Sequence, residues 1–171
     1  MIYPKLIPPA AREIVKTLMD AGDIEVSADK VEEAQEDFAS VLREYVRREE
    51  EISREAKDVM QLRGLESSKF QDTKRSVASR RGLPLGDEGL DYVIEQMLAF
   101  MFRSGNIDEV FAEDHVMRKR LAELIRKYQK VFEEVEAEVR GKLRHLQEGT
   151  SDWDVQYRRV HEQVRRNRGL L

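Results

Sequence analysis

The feature that most constrains this chain is an internal repeat, because patterns from the first half return in order in the second half at a nearly constant spacing. The matching segments are 12–19 with 95–102, 22–26 with 105–110, 38–45 with 121–128, 67–70 with 150–153, and 81–83 with 168–170. Matches that keep their order over the whole length indicate duplication of one structural element. We therefore predict two tandem copies, residues 1–83 and 84–171, either as two repeats or as one compact domain.

Each copy has the pattern of a short helix, a long helix and a basic helix. Apolar residues recur at three- and four-residue steps, and the 171 residues include only 9 glycines and 4 prolines. Glycine turns are predicted at Gly22, Gly64, Gly105 and Gly149, and residues 82–89 form the predicted linker between the copies. The charged run at 47–51 interrupts the apolar spacing of the first long helix. One interpretation is that the helix breaks there. The predicted fold class is all-α, with no significant sheet.

The apolar stripes of the long helices are the predicted core. In the first copy the stripe includes Val31, Ala34, Phe38, Val41, Tyr45, Ile52, Ala56 and Val59, and in the second Leu121, Leu124, Tyr128, Val131, Val135 and Val139. Stripes with this spacing usually pack against neighbouring helices of the same chain. The alternative is that they form an interface for a second copy or a groove for a partner. Trp153 and Phe70 stand at matching positions before the basic helices, and we interpret both as packing anchors.

Composition limits the chemistry and the compartment. The absence of cysteine excludes disulfides, thiolate metal sites and cysteine nucleophiles. The first nine residues are apolar but too short and too interrupted by proline for a signal peptide. No apolar run approaches the roughly 20 residues that span a bilayer. We therefore expect a cytoplasmic protein without a membrane partner.

The titratable residues show no catalytic arrangement. The three histidines, His115, His145 and His161, form no Glu-x-x-His or His-x-x-x-His motif, so no pair is preset on one helical face. We interpret residues 113–115 as a charged helix start and the glutamates within 133–138 as a solvated face. No phosphate-binding loop or nucleophile elbow occurs. The sequence predicts no catalytic, cofactor-binding or metal-binding residue, and we expect the protein not to be an enzyme.

The charge distribution singles out the two basic helices. Residues 65–83 and 153–171 each hold five basic and two acidic residues, which gives each segment a net charge of +3. Because the whole chain has a net charge of −4, the remaining residues together carry −10. The candidate phosphate or partner contacts are Lys74, Arg75, Arg80, Arg81, Arg158, Arg159, Arg165 and Arg166. Arginines clustered on one face suit phosphate backbones. The strongly acidic remainder favours the other interpretation, in which these cations neutralise the long helices.

Four segments together resemble a known family. Residues 7–15, 86–92, 112–115 and 148–157 are similar, in order and over essentially the whole chain, to bacterial domain-of-unknown-function family 507. The resemblance implies a bacterial, cytoplasmic, helical protein and transfers no functional residue. We predict a non-enzymatic interaction or adaptor protein with an unknown protein partner, a second copy of the chain being one candidate. The alternative is a protein associated with RNA or DNA through its basic helices.

Overall fold

The computed structural model describes residues 2–146 and 150–171, and it is 77% helical. Its helices are α1 (Ile7–Asp20), α2 (Val31–Arg63), α3 (Phe70–Arg81), α4 (Asp87–Met101), α5 (Asp114–Lys142) and α6 (Ser151–Asn167). Short 3₁₀ turns precede α1, α2 and α3. The all-α fold class is therefore confirmed. The turn predicted at Gly149 lies outside the described residues.

The described sheet consists of two very short strands, β1 (Ile24–Glu25) and β2 (Glu109–Val110). They pair antiparallel, with Ile24 opposite Val110, and they come from segments that match in the sequence repeat. The Asp108 carboxylate accepts hydrogen bonds from Lys30 Nζ (2.6 Å), Ser27 Oγ (2.5 Å) and Ser27 N (2.6 Å). These bonds lower the pKa of Asp108 to about 2, with Lys30 the largest contributor. The strand pair thus ties the loop before α5 to the start of α2.

The chain divides into two compact units that do not coincide with the predicted copies. Unit 1 is Met1–Arg47 with Gly86–Gln129, and unit 2 is Arg48–Leu85 with Lys130–Leu171. The division falls within α2 and α5, so each long helix contributes its first part to unit 1 and its second part to unit 2. Each unit therefore draws on both halves of the sequence. The division into copies 1–83 and 84–171 describes the repeat in the sequence, and as a domain boundary it stays a prediction.

Unit 1 has an extensive apolar core. Helices α1 and α4 and the first parts of α2 and α5 contribute to it, and Phe38 and Leu121 are buried while Tyr45 and Tyr128 pack at its edge. The α2 helix is continuous through residues 47–51, so the break considered there does not occur. The buried members of both stripes agree with the core interpretation of the long helices.

In unit 2, α3 and α6 end in the same way. Gly82 and Gly169 have φ values of +61° and +66°, a left-handed conformation that residues with a Cβ rarely adopt. The next residue then donates back to the helix, Leu83 N to Ala78 O (3.0 Å) and Leu170 N to the Arg165 carbonyl (2.8 Å). Both leucines are buried. This helix ending explains why the motif Arg-Gly-Leu occurs in both halves of the sequence.

Candidate partner-binding surface

Three of the eight candidate cations bind the acidic face of α2. Lys74 Nζ lies 2.9 Å from Glu49 Oε1, and the two side chains are only 14% and 11% exposed. Arg80 and Arg81 both contact the Glu55 carboxylate, at 3.2 and 2.7 Å. These residues hold α3 against α2, in the arrangement expected if the basic helices neutralise the long ones.

Arg168 makes the matching contact in the other half of the sequence. It donates to Glu138 Oε2 (2.9 Å) and Glu134 Oε2 (3.3 Å) of α5. Glu55 and Glu138 are 83 residues apart, the same spacing as the matched segments of the long helices. Arg168 was missing from the candidate set, although its place in the Arg-Gly-Leu motif, where Arg81 stands in the first half, could have identified it. Lys142 and Arg168 together lower the pKa of Glu138.

The other five candidate cations do not meet at one site. Arg75 approaches Asp72 of its own helix at 3.6 Å, and Arg165 donates to the Leu170 carbonyl at 3.3 Å. Arg158 Nε lies 3.4 Å from the Asp154 carbonyl. Arg159 and Arg166 are exposed on α6, where Arg166 donates to Glu162 (2.9 Å) and Arg159 makes no ion pair with the described part of the chain.

Helix α6 has a distinct outward side. Val155, Arg159, Glu162 and Arg166 follow one another at steps of four, three and four residues, so that they share one side of the helix. All four are exposed, Val155 to 55%. Val164, which is buried, lies on the opposite side. We call these four residues the outer face of α6; Arg158 lies at its edge.

The inner side of α6 carries a cluster that the sequence analysis missed. Tyr157 Oη donates to Glu136 Oε1 at 2.7 Å, and His161 Nε2 lies 3.5 Å from the same oxygen. Tyr157 also stacks between Trp153 and His161, with centroid distances of 4.8 and 5.5 Å. Burial lowers the pKa of His161, more than the Glu136 carboxylate raises it. Trp153 therefore packs in an aromatic row along α6, and Glu136 is not part of a solvated face.

Unit 1 has a comparable polar contact between α1 and α5. Lys127 Nζ (2.6 Å) and Tyr128 Oη (2.5 Å) both donate to the Glu13 carboxylate. The two hydrogen bonds lower the pKa of Glu13, while burial followed by the bond to Glu13 raises the pKa of Tyr128 to about 12. A tyrosine with such a pKa stays protonated at neutral pH, so it serves as a hydrogen-bond donor at the edge of the core.

Metal-binding and membrane-spanning features are absent from residues 2–146 and 150–171. In this part of the chain no three His, Asp or Glu side chains are placed to share a metal ion. Nor does any helix within those ranges have the length and apolar character needed to cross a membrane. Residues 113–115 form a charged helix start, where His115 Nδ1 lies 3.3 Å from Glu113 and Asp114 bonds Arg118 at 2.6 Å.

The two units differ in charge. Unit 1 holds 12 basic and 19 acidic residues, a net charge of −7, and unit 2 holds 18 basic and 15 acidic residues, a net charge of +3. Both basic helices belong to unit 2. An open cavity of about 410 Å³ lies beside the start of α6, lined by His145, Leu146, Asp152, Val155 and Gln156. Val155 of the outer face thus forms part of its wall.

Comparison with known proteins agrees with the resemblance noted in the sequence. The model of a family described as "Protein of unknown function (DUF507)" matches residues 1–170, essentially the whole length. A search of curated proteins finds no match to the chain. The chain belongs to the DUF507 family of proteins of unknown function.

Proposed function

We propose that this chain is a non-enzymatic helical interaction protein that binds a partner protein through the outer face of α6. The observation that carries the proposal is that some cations of the two basic segments contact glutamates of the long helices and others do not. Lys74, Arg81 and Arg168 contact glutamates of the long helices. Arg159 and Arg166 remain exposed on the outward side of α6, with Arg158 beside them.

The composition of the outer face suits a protein partner. It combines one exposed apolar residue, Val155, with two arginines and the carboxylate of Glu162. Arginine is enriched at protein interfaces because its guanidinium forms several directed hydrogen bonds while its stem packs against apolar surface. A mixed surface of this kind matches another mixed surface better than it matches a continuous row of phosphates.

The titratable clusters have structural roles that require no reaction. Glu136 is contacted by Tyr157 and His161 within the packing of α5 against α6. Glu13 similarly joins Lys127 and Tyr128 between α1 and α5. Each cluster pairs donors with one carboxylate, which is how a half-buried charge is usually accommodated.

A nucleic-acid role is the second candidate, and the net charge of +3 on unit 2 favours it. Basic helices gathered in one unit raise the local positive potential and attract polyanions. Three carboxylates of α6, those of Asp152, Asp154 and Glu162, oppose this role because they are exposed on the same helix.

The test is capture of partners from the source lysate, with and without nuclease. The informative variant is Arg158→Gln with Arg159→Gln on α6, and the matched control is Lys119→Gln with Arg126→Gln, which removes two exposed cations from unit 1. We expect a captured protein that survives nuclease, is lost with the α6 variant and is retained by the control. Unchanged capture by the α6 variant would refute the surface, and loss on nuclease treatment would favour the nucleic-acid candidate.

A further inference from the structure

The outer face of α6 is complementary to itself. When two identical helices pack antiparallel about a two-fold axis, each residue faces one residue of the other copy. The residue numbers of the two facing residues add up to the same value along the whole helix. Centring the pair between Val160 and His161 places Arg159 opposite Glu162 of the second copy, and Glu162 opposite its Arg159. Two opposite-charge pairs therefore form at the centre from a single pair of residues.

The ends of α6 are complementary in the same register. The first turn is acidic, with Asp152 and Asp154, and the last turn is basic, with Arg165 and Arg166. This distribution matches the helix dipole within one chain. Antiparallel packing then brings the acidic turn of each helix near the basic turn of the other.

The cavity beside the start of α6 gives an independent argument for this register. Val155 is opposite Arg166 of the second copy, and Val155 forms the cavity wall together with Gln156 and Asp152. The open volume of about 410 Å³ accommodates an arginine side chain, with its stem against Val155 and its guanidinium near the Asp152 carboxylate. The cavity, the exposed valine and the basic last turn thus fit one arrangement.

We infer that the partner bound by this face is a second copy of the chain, and that the two α6 helices pack antiparallel about a two-fold axis. The inference rests on the proposed function and specifies its partner. The 17 residues of α6 make a contact roughly 25 Å long at 1.5 Å per residue. Contacts of this size belong to the small class of interfaces, so the dimer is weak and forms in about the micromolar range.

In the single chain Glu162 already accepts a hydrogen bond from Arg166 at 2.9 Å. Both side chains are more than half exposed, 66% and 62%, so this bond is screened by water and little is lost when Glu162 turns to a new partner. Arg159 has no competing ion pair within the described residues. The central pair of the dimer therefore forms at low cost.

The experiment is sedimentation equilibrium on the full chain from about 1 to 500 µM, with charge reversals at the two central positions. We expect the wild type to dimerise and both Arg159→Glu and Glu162→Arg to weaken the dimer by about tenfold or more, because each places like charges opposite each other twice. The doubly exchanged variant, R159E with E162R, restores the pairs and the dimer. Circular dichroism checks that each variant keeps its helix content.

An equal mixture of the two single variants provides the sharper result. In a mixed dimer the glutamate introduced by R159E faces the arginine introduced by E162R, and the native Glu162 of the first chain faces the native Arg159 of the second. The mixture should therefore dimerise about as strongly as the wild type, although each variant alone dimerises about tenfold or more weakly. Lys119→Glu, an exposed reversal in unit 1, serves as the control and should leave the dimer unchanged.

The inference is overturned by a wild type that is monomeric throughout, by a dimer that resists R159E, or by a mixture that dimerises no more strongly than the single variants. A monomeric wild type whose lysate capture is still lost with the Arg158 and Arg159 variant would leave the proposed function standing with a different protein as partner.

Discussion

Unit 1 and unit 2 are both built from helices of the same two halves of the sequence, but among the described residues unit 1 buries many more apolar side chains. In unit 1, α1, α2, α4 and α5 enclose large apolar residues such as Ile14, Leu18, Met97 and Leu121, all at most 1% exposed. Burying such side chains contributes about 1.5–3 kcal/mol each. Unit 1 therefore has a conventional hydrophobic core.

Unit 2 buries fewer apolar residues among those described: Ile52, Ala56, Val77, Ala78, Leu83, Val135, Val139, Leu143, Val164 and Leu170. Its helices are also joined by polar contacts, among them Lys74–Glu49, Arg81–Glu55 and Arg168–Glu138. The difference indicates that unit 1 supplies more of the stability. It also indicates that charged side chains contribute more to the contacts between helices in unit 2 than in unit 1.

The largest effect should come from the core of unit 1. Leu121→Ala should lower the free energy of unfolding by about 2–5 kcal/mol, because the side chain is fully enclosed and its removal leaves a cavity. Leu143→Ala in unit 2 should cost less, since unit 2 buries fewer apolar residues among those described. Urea unfolding followed by circular dichroism measures both. Leu62→Ala, at an 87% exposed position of α2, is the control and should change stability by less than about 0.5 kcal/mol. Equal losses at Leu121 and Leu143 would contradict the comparison.

The next effect should come from the most enclosed ion pair of unit 2. Lys74→Met should lower the free energy of unfolding by about 1–3 kcal/mol, because it leaves the Glu49 carboxylate enclosed without its cation. Adding Glu49→Leu should recover much of the loss, since a well-packed apolar pair often replaces a buried ion pair without cost. Trp153, the single tryptophan, lies in unit 2, so its fluorescence follows that unit during urea unfolding.

The control for this pair is Lys16→Met on α1. Lys16 bonds Asp20 at the surface, with both side chains well exposed, so its removal should cost less than about 1 kcal/mol. If Lys74→Met costs no more than Lys16→Met, the enclosed pair does not stabilise unit 2.

A smaller effect is expected for the surface contacts of Arg168. Arg168→Gln should cost up to about 1 kcal/mol, because it loses two glutamate contacts on α5 that remain partly hydrated. The loss should shrink between about 0.05 and 0.5 M NaCl as salt screens the pairs. Arg159→Gln, which breaks no ion pair among the described residues, is the matched control at low protein concentration. A loss at Arg168 that is independent of salt would show that packing of the side chain, and not its charge, matters.

The helices could be predicted from the sequence because their apolar residues recur with a helical period and glycines follow their ends. Gly82 illustrates this, since the linker predicted at 82–89 begins where α3 ends. The burial of Leu83, which lies within that predicted linker, was not predicted. The grouping of the helices was not predictable in the same way. The apolar stripe at 31–59 predicts that one face of the helix is buried, but it does not predict which other helix covers each part of that face. The division of α2 and α5 between two units therefore appears only in three dimensions.

The charged residues were harder still, because a helical pattern gives the face of a side chain but not its partner. Lys74 and Arg159 look alike in the sequence, yet one is enclosed against Glu49 and the other is exposed. Glu136 stands in a run of glutamates that suggests a solvated surface, and only the packing of α6 brings Tyr157 to it. The sequence thus identified the basic helices and left open which of their cations face outward.

The smallest effect concerns pH, and it separates the two units once more. Burial lowers the pKa of His161 from 6.5, while Glu136 of α5 raises it and Arg165 of its own helix lowers it. Between the two pKa values the unfolded chain binds more protons than the folded one. The stability contribution of neutral His161 is therefore fully present above pH 6.5 and is lost as the pH falls through the lowered pKa.

In unit 1 the corresponding group is Asp108, whose pKa is lowered from 3.8 to about 2, so its contribution is lost only between about pH 4 and pH 2. Acid should therefore disturb unit 2 first. We expect the fluorescence of Trp153, which stacks on Tyr157 beside His161, to report a lower urea midpoint at about pH 5.5 than at pH 7.5. His161→Gln removes the titrating group and should flatten this dependence, whereas His115→Gln, at an exposed position of unit 1, should leave it unchanged. If the wild type and His161→Gln lose the same stability over this range, another group in unit 2 takes up the proton.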